Sequence, residues 1–231
     1  GNGRSYTYTA ANRHKTITSG ATTITYDYDD AHQRTRQVAP EGTTVYLNNA
    51  LGVRLEKFTG TSGTVQWNEY LFAGDEAIGV RFNKTSGPLV RYYIGDHLGS
   101  VSVITDEAGA VAERLSYDPW GKRRFANGAD DTAHTITSQT TRGFTNHEHI
   151  SNIGLINMNA RSYHPVVGRF LTPDSLIEDY FKSQILNRYS YVGNNPLSFR
   201  DPTGHCFLGC FWKKPIFKTV IVMAAVLTFQ H

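Results

Sequence analysis

YDYDDAHQRTRQV, residues 26–38, decides the fold. An aromatic strand end runs into a turn rich in Asp, and a second alternating stretch follows, the pattern of two half-buried strands joined by a turn. The unit recurs along the chain. YTYTAANRHKTI starts at Tyr6 and YLNNALGVRLEKF at Tyr46, so the first three tyrosines stand twenty residues apart. YLFAGDEAIGVRF (Tyr70), YIGDHLGSVSVI (Tyr93) and YDPWGKRRF (Tyr117) follow at intervals of 24, 23 and 24. A single hairpin cannot bury its apolar face, so six such units are expected to lie side by side as one curling ribbon.

Composition agrees with a mainly β protein. The 231 residues are 39% apolar, 19% charged and 12% aromatic, enough to bury a core and too apolar for disorder throughout. Thirteen Tyr stand against 3 Trp and 2 Met, a balance that suits strands better than packed helices. The net charge of +3 is local: the charges of residues 1–205 cancel, and the excess is Lys213, Lys214 and Lys218. With no basic stripe, the main body has no electrostatic support for binding nucleic acid. Both cysteines, Cys206 and Cys210, lie in the same tail, so residues 1–205 hold no disulfide framework and no thiolate metal site. The most apolar run, Thr219 to Phe229, is 11 residues, too short to span a membrane alone.

The 20-odd-residue period with YDYDDAHQRTRQV resembles the YD repeat of Rhs (rearrangement hotspot) proteins. Three later blocks resemble the segment that closes the repeat array in bacterial Rhs polymorphic toxins: YYIGDHLGSVSVITDEAGAVAERLSYDPWGKRR, RGFTNHEHISNIGLINMNARSYHPVVGRFLTPDS and NRYSYVGNNPLSFRDPTG. The resemblance covers roughly residues 5–204. It implies a ribbon that spirals into part of a hollow shell, with a core turned inward as a plug. On this reading residues 1–120 are the YD-repeat sheet, 121–205 the repeat-associated core with an aspartyl autoprotease motif, and 206–231 the start of a variable toxin region. Six repeats are fewer than a closed shell needs, which makes the chain a portion of a larger protein.

Asp174 in GRFLTPDS and Asp201 in SFRDPTGH are the residues that can carry chemistry. Each adjoins a proline, Pro173 or Pro202, which fixes the local backbone. Were the 26 intervening residues to loop back, two carboxyl groups would meet, share one proton and work as an aspartic-protease pair. From spacing alone both are ordinary turn elements; it is the resemblance that implies a self-cleavage dyad. It also implies a cut just after the DPTG motif, between His205 and Cys206, with His205 standing where the family commonly has Leu and Ser175 where it has Pro. Arg200, next to the second aspartate, is expected to hold the pair or orient the peptide carbonyl. No metal or cofactor is needed.

The resemblance further implies a secreted effector, made in the bacterial cytoplasm and delivered to a target cell through a type VI or other toxin-secretion apparatus. Its implied partners are its own C-terminal toxin segment, the rest of the shell and an immunity protein, in competition between bacteria. Two other readings stand beside it. One is a non-catalytic β-repeat module for cell-surface or carbohydrate contact, which predicts an exposed tyrosine face. In the other, the tail from Cys206 on touches membranes and is itself the toxic element.

His147-Glu148-His149 lacks the HExxH spacing and is read as structural or surface-lying rather than a zinc site. Asp96, His97, Ser100 and Ser102 lack a GxSxG elbow and are read as a repeat turn. Cys206 and Cys210, spaced CxxxC, are read as free thiols.

Overall fold

A computed structural model describes residues 3–49, 52–74, 76–84, 87–132, 135–175 and 183–205. Eleven strands form one antiparallel sheet in sequence order, each paired with the strand before it. They are β1 (Arg4–Tyr8), β2 (His14–Ser19), β3 (Thr22–Tyr28), β4 (Arg34–Ala39), β5 (Gly42–Asn49), β6 (Gly52–Gly60), β7 (Val65–Ala73), β8 (Glu76–Lys84), β9 (Gly87–Gly95), β10 (Val101–Thr105) and β11 (Val111–Arg114). The tyrosine frame falls on alternate strands: Tyr6, Tyr26, Tyr46, Tyr70 and Tyr93 lie on β1, β3, β5, β7 and β9. The sixth, Tyr117, has left the sheet for the short pair β12 (Ser116–Tyr117) and β13 (Arg123–Arg124).

One corner recurs between these strands. In Asp96–Ser100, Asp106–Ala110 and Asp118–Lys122 a single aspartate oxygen accepts the backbone N–H groups two and four residues on. The fourth residue is a glycine with φ between 80° and 88°, a conformation that costs glycine nothing. The first hairpins use the same corner with Asn12 and His32 at positive φ. Asp96, His97 and Ser100 thus lie in a turn, as expected from their sequence, while Ser102 lies on β10.

A second, four-stranded antiparallel sheet packs on the inner face: β14 (Glu148–Ile150), β15 (Leu155–Met158), β16 (Arg161–His164) and β17 (Arg169–Phe170). Every residue of β14 and of β16 is buried, so these strands lack the in-out alternation of the ribbon and read poorly from sequence. Ile150, Ile153 and Leu155 close one core with Ile17, Ile24, Tyr26 and Ala39 of the ribbon. Phe144, Ile156, Met158, Tyr163, Phe170, Tyr191 and Val192 form a second core, flanked by Tyr117 and Trp120.

The repeat tyrosines turn toward this plug. Tyr46 donates to Glu148 at 3.1 Å, Tyr70 meets Thr141 at 3.2 Å and Tyr93 meets Thr140 at 2.7 Å. Tyr26, Tyr46 and Tyr70 are buried. The exposed tyrosine face that a surface-contact module would present is therefore absent at these positions, because the core segment covers it.

Between the tyrosines lie buried charges. The Arg34 guanidinium stands 4.2 Å from the Tyr46 ring centroid and pairs with Glu148; Arg142 stands 4.7 Å from that of Tyr70. Glu56 accepts from Tyr70 at 3.0 Å and Asn68 at 3.3 Å. Burial would push the Glu148 carboxyl up, but Arg34 and Arg142 outweigh it and hold it below the usual range. Burial and the nearby Glu148 charge push Glu56 up.

Candidate functional site

The two singled-out aspartates arrive at one place by different routes. Asp174 follows β17 and Pro173, and its backbone N–H donates to the Arg188 carbonyl at 2.9 Å while Arg188 Nε donates back to the Asp174 carbonyl. Asp201 opens the turn Asp201–His205. One of its oxygens, Oδ1, accepts the N–H groups of Thr203 (3.2 Å), Gly204 (2.8 Å) and His205 (3.1 Å). With Gly204 at φ 77°, this is the ribbon's Asp-x-x-Gly corner used once more. It docks on the β15–β16 turn: Ala160 N–H donates to the Thr203 carbonyl at 3.1 Å and Asn159 to the Pro202 carbonyl at 2.9 Å. A Cβ at position 204 would lie 2.0 Å from the Met158 carbonyl, so only glycine fits.

Both carboxylates converge on Arg161, the first residue of β16. Its Nη2 lies 2.7 Å from Asp174 Oδ2 and 3.3 Å from Asp201 Oδ2. Its Nη1 donates to the Arg188 carbonyl at 3.2 Å, and its Nε to the Gly204 carbonyl. The guanidinium carbon rests 3.5 Å from the Phe170 ring centroid. All three residues are buried, with exposures of 5% (Arg161), 9% (Asp174) and 1% (Asp201). The pair is not bare: the Arg161 guanidinium stands between the two carboxyl groups.

Arg200 sits elsewhere. Its Nη1 lies 2.5 Å from Glu76 Oε1 and 3.1 Å from the Leu98 carbonyl. The expectation that it holds the aspartate pair is corrected: Glu76 and the Leu98 carbonyl take its guanidinium, and it is Arg161 that reaches Asp201. Nothing in the local sequence marked Arg161, whose reach comes from the packing of β16.

His205 is held by both aspartates, its backbone N–H on Asp201 and its ring Nδ1 2.9 Å from Asp174 Oδ1. A cleft of about 20 Å³, lined by Arg161, Asp174, Asn187, Arg188, Asp201 and His205 among others, adjoins them. That is room for roughly one water molecule. Cys206, on the far side of the expected cut, lies outside the described residues, as do Cys210 and the whole tail.

The comparisons with known proteins follow from this fold. The Teneurin YD-shell family model matches residues 84–197. Solved structures of TcdB2-TccC3 superpose over 87% of the chain with a TM-score of 0.69 and 18% identity, covering 10% of that chain. Residues 84–197 are a YD-shell region, and the chain has the YD-shell fold. Among curated relatives of this YD-repeat chain, salivary gland surface protein 1 of Aedes aegypti is 32% identical over 116 residues, 49% of the chain and 3% of that protein. The tRNA3(Ser)-specific nuclease WapA of Bacillus spizizenii is 25% identical over 181 residues, 78% of the chain and 7% of its own length. A TcdB2-TccC3 structure without its hypervariable C-terminal region is 20% identical with a TM-score of 0.69, covering 87% of this chain and 10% of that one. The YD-repeat chain therefore spans no more than a tenth of the length of these relatives.

The remaining motif residues of the YD-repeat core are structural. His147 meets Thr145 at 2.8 Å, Glu148 pairs with Arg34, and His149 accepts the Phe144 N–H at 3.1 Å. All three are buried, which excludes the surface-lying alternative for them. Burial pulls His147 down to about 3 and His149 well below the ordinary histidine range. Among the described residues no group of three or more His, Cys, Asp or Glu is placed to hold a metal ion.

Proposed function

We propose that this chain is the shell-and-core portion of a toxin that encloses its own C-terminal segment and releases it by hydrolysing the His205–Cys206 bond. The carrying observation is that Asp174 and Asp201 share Arg161 while both hold His205. In the reaction, water adds to the His205 carbonyl carbon and gives a proton to one carboxylate, as the other carboxyl, protonated, polarises the carbonyl oxygen. The C–N bond breaks, the nitrogen takes up the proton, and the products are a carboxylate on His205 and an amine on Cys206. Arg161 positions both carboxylates and, through the Gly204 carbonyl, the peptide preceding the cut.

Enclosure is supported by the shell fold and by a relative described as having a hypervariable C-terminal region. Residues 206–231, with their change in charge and apolar content, are the counterpart proposed for release. Delivery to a target cell, by a type VI or another route, belongs to the same proposal. Intact-mass measurement tests the cut. The wild-type chain is expected to yield pieces of 205 and 26 residues, and Asp174→Asn or Asp201→Asn to stay whole. The same split in either variant removes the pair from the mechanism.

A further inference from the structure

We infer that His205 is a built-in brake on the cut it precedes, an inference that rests on the cleavage reading above. The geometry is specific. The imidazole Nδ1 lies 2.9 Å from Asp174 Oδ1, while the other oxygen of that carboxylate is held by Arg161 Nη2 at 2.7 Å. Both Asp174 oxygens are therefore engaged, one by a fixed cation and one by the residue about to lose its peptide bond. A cleft with room for about one water adjoins them. For Asp174 to take a proton from that water, Oδ1 must leave the imidazole. Asp201 offers less freedom, because its Oδ1 caps three N–H groups of the turn.

The test follows the full chain made by cell-free translation, with appearance of the 26-residue piece timed by mass spectrometry. His205→Leu removes the ring nitrogen and keeps comparable bulk. It is expected to cut about tenfold faster than wild type, the factor set by one hydrogen bond to a charged group. His205→Gln, which keeps a donor, is expected to be as slow as wild type. A His205→Leu chain that matches wild type in rate overturns the brake. An Asp174→Asn, His205→Leu chain that still releases the piece overturns the cleavage reading instead, as does absence of cutting in both wild type and His205→Leu. Thermal melting of each variant separates loss of folding from loss of cutting.

Discussion

Replacing Glu148 by alanine should detach the plug from the ribbon more effectively than any apolar truncation of similar size. Glu148 is the carboxylate partner of Arg34, and both side chains are about one-tenth exposed. Its other bonds are the Tyr46 hydroxyl at 3.1 Å and Asn157 at 3.2 Å. Alanine takes the Glu148 carboxylate away from the Arg34 guanidinium, which stays buried between Tyr26 and Tyr46. Breaking one side of a buried pair costs about 3–5 kcal/mol. In a domain of this size each kcal/mol lowers the melting temperature by roughly 2–4 °C, so a fall of about 6–20 °C is expected. Replacing both partners with apolar side chains, Arg34→Met with Glu148→Leu, removes both desolvation costs and should recover most of the loss. Urea unfolding followed by near-ultraviolet circular dichroism, with wild type and both variants at pH 7, supplies the comparison. A Glu148→Ala loss below about 1 kcal/mol, or a double variant as unstable as the single one, would refute the reasoning that the pair is a buried latch.

Acid should weaken the fold through buried histidines. Burial lowers His14 to about 4 and His147 to about 3 from 6.5, so the unfolded chain binds more protons and stability falls as pH drops from 6.5 toward 4. Each contributes up to about 1.4 kcal/mol per pH unit, readable from urea midpoints across that range. Arg161→Lys should slow cutting by at least about tenfold, because an ammonium cannot reach two carboxylates and two carbonyls in the fork that Arg161 spans; timed mass spectrometry on the variant measures it. The Asp118–Lys122 turn carries its own DPxG text, DPWG, with Asp118 Oδ1 capping the same two N–H positions. Among the described residues no second aspartate meets it, and mass spectra should show no piece ending near Lys122.

The ribbon was legible because its physics is local. Tyr6, Tyr26, Tyr46, Tyr70 and Tyr93 mark one face of alternate strands, and each strand pairs with its neighbour in sequence. The plug was legible only through family resemblance, since the fully buried β14 and β16 show no alternation. Asp174 and Asp201 could be singled out, yet their common partner could not: Arg161 is brought to them by sheet packing and not by sequence proximity. Arg200 misled for the complementary reason, because adjacency to Asp201 along the chain does not bring its guanidinium there, Glu76 and Leu98 taking it instead. The Glu56, Glu148, Arg34 and Arg142 cluster joins residues from opposite parts of the chain, and no window of sequence contains it.

The unbroken strand order β1 to β11 also dictates how the molecule is made. Each new strand finds its template in the segment synthesised just before it, so the wall can assemble vectorially as it leaves the ribosome, with little loop-closure entropy to overcome. The stretch from Gln139 onward is the one that must find distant partners, among them Arg91 and the tyrosines already in place. The aspartates and the turn they hold are thus set after the eleven strands, so a cut of the kind proposed has to wait until the wall around it stands.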